Sequence, residues 1–281
     1  MNTPHLLHTC LWETLLNHTG RVGRDQTVFL EQFYIDLCVR IGARLCIEIG
    51  AHEASGLKRL GQVLPEARLL AYEANPYVYQ RFVNRVAAGI RYLNQAVAHD
   101  DQPRVLKIPR VMPMREGQRT LPRENLTSSL RVRNMERVEY EEVTVACTTL
   151  DSILSEQPGL APVSLWIDVE GAAGDVLAGA TRALRSEVAL IYIELENKTS
   201  WKGQWLDQDV ARFLAGYGFV PLARDMQTPW QYNQLFIQER WLESPGIMEA
   251  FRGLLHEVLA RPADQTTTVP DSHEAGASAS E

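Results

Sequence analysis

The spacing of apolar positions changes along the chain, and each change marks an element. From residue 27 to 43, "TVFLEQFYIDLCVRIGA" repeats Phe29, Phe33, Leu37 and Ile41 at three-to-four spacing and stops at Gly42. That spacing predicts an amphipathic helix. "RLCIEIG" then closes into a short apolar run with β-branched residues, the signature of a parallel strand buried on both faces. A helix ("SGLKRLGQVL"), a strand ("ARLLAYE"), a helix opened by Pro76 ("PYVYQRFVNRVAA") and a third strand with its exit ("IRYLNQAVA") follow. The pattern then loosens. "PRVLKIP" and "EEVTVACTTL" read as extra strands around an arginine-rich insertion, and "TLDSILSEQ" as the start of a helix. Regular alternation resumes with "VSLWIDVEG", "AGDVLAGATRALRS" and "VALIYIELE" as strand, helix and strand. A helix ending near Gly216 and Gly218, a late strand "NQLFIQE" and a final helix "GIMEAFRGLLHEVLA" complete the order.

Strands alternating with helices predict an α/β fold: a mostly parallel central sheet covered by helices on both faces. The expected layout is a helical segment over 1–43, one α/β domain over 44–240 with an insertion around 104–137, and a C-terminal helix over 241–261. Residues 262–281 contain no aromatic side chain and are rich in Thr, Ser, Ala and acid, so a disordered tail is expected there.

Charge narrows the partners. A formal net charge of −7 argues against nucleic-acid binding, which favours a basic face. One segment runs against the trend: Arg104, Lys107, Arg110, Arg115, Arg119, Arg123, Arg131, Arg133 and Arg137, interrupted by Glu116, Glu124 and Glu136. A solvated, helix-prone insertion is the plainer expectation, and a lid or acceptor surface for an anion the sharper one. No apolar run approaches the ~20 residues of a membrane span. The N-terminus has no cationic start before its apolar residues, so no secretory signal is expected. Cys10, Cys38, Cys46 and Cys147 have no pairing or metal-ligand spacing and suggest reduced thiols in a cytoplasmic protein.

Candidate chemistry follows from the topology rule that open α/β sheets bind ligands beyond the carboxyl ends of their strands. Those ends read Glu48-Ile49-Gly50-Ala51-His52, Glu73-Ala74-Asn75, Asn94-Gln95-Ala96, Asp168-Val169-Glu170-Gly171 and Glu194-Leu195-Glu196. Glu73, at the end of the second strand, stands where dinucleotide folds set an acid against ribose hydroxyls. "GAHEASG" places Gly50 at the tight turn but His52 and Ala54 where a phosphate cradle needs bare backbone. Such a loop suits a nucleoside cofactor without phosphates, namely S-adenosylmethionine. Gly50, Ala51, His52, Glu73, Asn75, Gln95 and Ala96 then line it, and Glu48 accepts from its ammonium. His52 is expected to pack or touch the cofactor tail rather than act as a base. Asp168, and Glu170 after it, are the candidates for orienting an acceptor and taking its proton. Mg2+ could in principle join Asp168, Glu170 and Glu194, but no further His or Asp stands at a telling spacing, so no metal is expected. Trp201, Trp205, Trp230 and Tyr232 could wall an acceptor pocket or plug the core.

"CIEIGAHEAS", "AYEANP", "NQAVA", "TSSL", "TTLDSIL", "LWIDVEGAAGDVLAGA" and "IYIELE" resemble, in order, the FkbM-type S-adenosylmethionine-dependent methyltransferases. The resemblance runs from about residue 44 to 240, and "IDVEGAAGDVLAGA" is its most specific part. Ala54 and Ala74 depart from it, standing where Gly and Pro are common. It implies a Rossmann-like class I methyltransferase fold and methyl transfer to a hydroxyl of a small-molecule or glycan acceptor. Two rival readings stand beside it: a nicotinamide-dependent oxidoreductase and a catalytically silent nucleoside-binding scaffold.

Overall fold

The computed structural model describes residues 24–114, 116–225 and 227–260. The expected tail and the first 23 residues, with Cys10, lie outside the described residues. Helix α1 (Arg24–Arg40) precedes β1 (Leu45–Ile49), α2 (Ser55–Val63), β2 (Arg68–Tyr72), α3 (Pro76–Phe82) and β3 (Ile90–Leu93). Five short or irregular strands follow: β4 (Ala96–Val97), β5 (Arg104–Pro113), β6 (Gln118–Thr120), β7 (Glu139–Val145) and β8 (Cys147–Thr148). Then come α4 (Leu150–Ser155), β9 (Val163–Ile167), α5 (Ala173–Ala178), α6 (Ala183–Ser186), β10 (Val188–Glu196) and α7 (Asp207–Ala215). Strands β11 (Phe219–Arg224) and β12 (Gln231–Gln238), a 3-10 turn and α8 (Pro245–Ala260) end the described chain.

Seven strands form the main sheet in the order β11-β12-β10-β9-β1-β2-β3. β3, β2, β1, β9 and β10 are parallel, and β12 pairs antiparallel with both β10 and β11. The chain winds outward from β1 through β2 to β3, then restarts at β9 on the other side. β1 and β9 therefore flank the point where strand order reverses, the place where ligands bind in such sheets.

Side-chain alternation along each strand feeds two cores, one per face. Leu45, Ile47 and Ile49 join Leu70, Tyr72, Leu165, Ile191 and the helices α4 to α7 in one core. Cys46, Leu69, Ala71 and Tyr192 join α1, α2 and α8 in the other. Cys38, Cys46 and Cys147 are all buried free thiols.

Three expectations need correction. The arginine-rich insertion is not helical: β6-β5-β7 is an antiparallel sheet, with β4-β8 beside it, closing a small core of Ala96, Ala98, Leu106, Ile108, Val145 and Cys147. Its strand β5 turns Leu106 and Ile108 into that core with the half-buried Lys107 between them, a strand period of two. "AGDVLAGATRALRS" is two short helices, the first ending at Gly179, where the Ala98 carbonyl packs so close that a Cβ would lie 2.1 Å from it. "FVPLAR" is a strand the sequence pattern did not predict; Pro221 interrupts its polar–apolar reading, and the pairing register shifts there.

Candidate active site

A cavity of about 340 Å³ opens at the carboxyl ends of β1, β2, β9 and β10. Gly50, His52, Glu73, Asn75, Gln95 and Ala96 line one side. Asp168, Glu170 and Glu194 line another, and residues Asn125 to Leu130 of the insertion supply a third wall. The described lining includes four carboxylates and no Lys or Arg.

Gly50 is required by geometry. It has φ +79°, and a Cβ on it would lie 1.7 Å from the Asp168 carbonyl oxygen. The backbones of β1 and β9 thus nearly touch at the switch point, pinned by Asp168 N–H donating to Ile49 O at 2.9 Å. Gly50 and Ala51 N–H donate to Tyr72 O at 2.9 and 3.0 Å, folding the loop onto β2. His52 (φ 45°), Ala54 (φ 56°) and Glu170 (φ 35°) are non-glycine residues in the left-handed region, and all three lie in or beside loops of the cavity. Strain of this kind persists where the surroundings hold it and is concentrated at functional sites.

Glu73 is buried, and its carboxylate accepts from His52 N–H at 2.9 Å and Asn75 N–H at 2.7 Å. Burial raises its pKa to about 7, against the pull of those two donors. Each oxygen keeps a second acceptor position, so two further donors can be received side by side, as a ribose diol requires. The loop N–H of His52 is already committed to Glu73, and the lining offers no cation, so the site is unsuited to a pyrophosphate. This counts against a dinucleotide. Helix α3 is capped by Asn75, not by Glu73.

Two expected cofactor contacts fall outside the cavity. Glu48 lies on the same face of β1 as Cys46, away from Ile49, because side chains alternate along the strand. Its buried carboxylate accepts from Leu57 N–H at 2.9 Å, tying β1 to the first turn of α2, and burial raises its pKa to about 8. The expected contact of Glu48 with a cofactor ammonium is corrected accordingly. Ala51 is buried behind the loop and does not line the cavity. His52 does line it; its ring packs edge-on against Phe82 at 4.7 Å, and burial lowers its pKa, leaving a neutral packing residue.

The far side is dominated by acid. Asp168 is open to the cavity but surrounded by protein, and burial raises its pKa to about 6. Burial also raises Glu170 to about 8 and Glu194 well above the usual carboxylate range, with the Asp168 charge pushing both further up. Glu170 is held from three sides. Ser129 Oγ donates to its carbonyl at 2.6 Å, Arg133 lies 3.6 Å from its carboxylate, and Gly171 packs so tightly on Trp201 that a Cβ would lie 2.3 Å from the indole. Among the described residues no cluster of His, Cys, Asp or Glu has the arrangement of a metal site.

Of the two readings left open for the aromatics, the pocket wall is not the one found. Trp201 is buried under Gly171 and Arg133, Trp205 covers Gly174, Trp230 is on the surface and Tyr232 donates to Asp207 at 2.7 Å. None lines the cavity. Asn125, Ser128 and Ser129 line it instead and were not singled out in the sequence, although "TSSL" carried the signal as part of the resemblance.

Strand order and cavity define a Rossmann-like α/β protein with a carboxylate-lined cavity at the switch point. The methyltransferase FkbM domain matches residues 48–221, and the chain belongs to that family. It is 27% identical over 166 residues to the 2-O-methyltransferase NoeI of Sinorhizobium fredii, a match covering 56% of this chain and 65% of that protein. The chain thus spans just under two thirds of the length of this relative. Similar solved structures include a SAM-dependent methyltransferase from Aquifex aeolicus (8% identity, TM-score 0.38, covering 85% of this chain and all of that one). Another is the magnesium protoporphyrin IX methyltransferase of Synechocystis with bound SAM (10% identity, TM-score 0.37, covering 85% and 98%).

Proposed function

We propose that this protein transfers the methyl group of S-adenosylmethionine to a hydroxyl of a sugar, glycan or small secondary metabolite. The observation that carries the reading is one cavity lined on one side by Glu73, whose two oxygens each accept one backbone N–H and keep a further acceptor position, and on another by Asp168. Family membership supports methyl transfer, and the relative named as a 2-O-methyltransferase supports a hydroxyl acceptor. A lining of carboxylates and amides without Lys or Arg suits a neutral polyhydroxyl group better than a phosphorylated one.

When bound, the cofactor supplies a methyl group already activated by its sulfonium. Glu73 and Gln95 hold the nucleoside end, and the Gly50 turn gives it room. Asp168, largely ionised above about pH 6, would take up the proton of an acceptor hydroxyl held against the methyl group. Glu170, protonated to about pH 8, donates a hydrogen bond to the acceptor rather than taking its proton. Alignment of this kind can lower a barrier by several kcal/mol, roughly 7–11 at its upper range.

Ala54 does not obstruct the site. It is fully buried at the N-terminus of α2 and does not line the cavity. The test pairs calorimetric titration against S-adenosylmethionine and NAD with single-turnover assays of Asp168→Asn on a panel of hydroxylated acceptors. The expected result is binding of S-adenosylmethionine alone, with turnover in the variant reduced about 10²–10⁴-fold at nearly unchanged cofactor affinity. Binding of NAD instead would overturn the cofactor. Loss of cofactor binding in Asp168→Asn would move that residue out of the proton-transfer role.

A further inference from the structure

Asn75 makes more contacts than a helix cap needs. Its side-chain oxygen accepts from Tyr77 N–H at 3.0 Å and Val78 N–H at 3.4 Å, which caps α3 and fixes which end of the amide is oxygen. The amide nitrogen therefore faces the insertion, where it donates to Arg123 O at 2.8 Å and Ser128 Oγ at 3.0 Å. Capping alone would be served by Ser, Thr or Asp, which present an acceptor; of the strong capping residues only Asn adds two donors, and both are used. The side chain is almost wholly buried. Its own backbone N–H holds Glu73.

The segment it grips crosses the cavity. Residues 125, 126, 128, 129 and 130 all line it. At the far end Ser129 exchanges backbone hydrogen bonds with Lys107 at 2.8 and 3.0 Å, and its hydroxyl bonds to Glu170 O. One end of this strap is thus tied beside Glu73 and the other beside Glu170. We propose that Asn75 is a positioning residue that latches the strap across the cavity, coupling the Glu73 side to the Glu170 side. Its role as a link between cofactor and acceptor rests on the methyltransferase reading; the latch itself does not.

Asn75→Asp separates latch from cap, since Asp caps as well as Asn but turns an acceptor toward the Arg123 carbonyl. Hydrogen–deuterium exchange on the full chain without ligand reads both. Amides of Thr127, Ser129 and Arg131 should exchange about tenfold faster in Asn75→Asp, as losing one or two hydrogen bonds implies, while those of Tyr79 in α3 and Val83 at its C-cap stay within about threefold. Ser128→Ala, which removes one of the two partners, should give a smaller acceleration confined to the strap. An unchanged strap in Asn75→Asp, or equal acceleration of strap and α3, would overturn the latch. A second arm adds saturating S-adenosylhomocysteine. Strap amides of the parent should slow further and those of Asn75→Asp should not; equal slowing in both would overturn the coupling. If the parent fails to bind the probe in a parallel titration, the cofactor reading falls, and the ligand-free arm still decides the latch.

Discussion

Gly50→Ala is the substitution whose cost can be worked most directly from the geometry. Two effects are mixed at this position, and Gly42 separates them. Gly42 has φ +64° with nothing within 4 Å of where a methyl would stand, whereas Gly50 has φ +79° and a methyl there would lie 1.7 Å from Asp168 O. A left-handed Ala costs about 1–2 kcal/mol, offset by roughly 0.4–1 kcal/mol from a less free unfolded chain. Gly42→Ala should therefore lose about 1 kcal/mol. Gly50→Ala carries the same backbone strain and must also push the ends of β1 and β9 apart. Overpacking adds about 1–3 kcal/mol, and weakening the bond from Asp168 N–H to Ile49 O adds roughly 0.5–1.5. The expected gap between the two variants is about 2–4 kcal/mol, large against a total stability of roughly 5–15 kcal/mol. Urea denaturation midpoints at matched slope measure it. Equal midpoints for the two variants would refute the close approach of β1 and β9 and, with it, the placement of Asp168 beside the loop.

Three further outcomes follow from the site. Glu73→Ala should weaken S-adenosylmethionine by roughly 1.5–3 kcal/mol, the range for hydrogen bonds to a charged group, and unchanged calorimetric affinity in a folded variant would remove Glu73 from the ribose. Ala54→Gly relieves a left-handed residue by about 1–2 kcal/mol but loses about 0.8 kcal/mol of methyl burial and gains roughly 0.5–1 kcal/mol of unfolded freedom. Its stability should stay within about 1 kcal/mol of the parent and its cofactor affinity should be at least as strong; a tenfold loss would show that the loop is misplaced. Glu48 and Glu73 have folded pKa values raised by burial to about 8 and 7, so the folded state binds more protons than the unfolded one above the ordinary carboxylate value of 4.5. Stability from these groups is present below pH 4.5 and is lost as pH rises to about 8. Ligand-free protein should accordingly unfold at lower urea at about pH 8 than at about pH 5.5, and Glu73→Gln should flatten that slope around pH 7.

The core strands were legible because burial on both faces leaves only apolar, β-branched runs, as in "LCIEI" and "VSLWI". Strand ends were legible for the same reason: Glu73, Asp168 and Glu170 interrupt those runs, and all three reach the cavity. Glu48 interrupts one too, yet misses it. Whether an acid at a strand end faces the ligand or the helix behind depends on one step of side-chain alternation, and the helix offered Leu57 N–H as a partner that sequence does not reveal. The wall from Asn125 to Leu130 was harder still. Its residues are polar and follow no clear period, and they reach the site only because an antiparallel sheet, built from widely separated segments, carries them there. Strand β11 stayed hidden because Pro221 is tolerated in an edge strand and breaks the pattern that would announce it.

The arginine run is explained by that same sheet. Arg104 pairs with Asp100, Lys107 with Glu142, and Arg110 and Arg123 with Glu141, while Arg131 and Arg133 reach Asp175 and Glu170 on the far side of the cavity. Most are exposed pairs of the kind worth about 0–1 kcal/mol each, so their number says little about stability. Arg131 differs. Its Nε and Nη2 both donate to Asp175 at 3.0 and 2.7 Å, with both side chains mostly buried, and the same guanidinium donates to Gly203 O. A planar fork fixes direction as well as distance, which a lysine ammonium cannot do. Most of the positive charge is thus paired within the insertion, and Arg131 and Arg133 are the two that tie it to the main domain. Within the cavity beneath, Arg133 faces Glu170, while Asp168, largely ionised above about pH 6, has no Lys or Arg among the described lining residues to neutralise it.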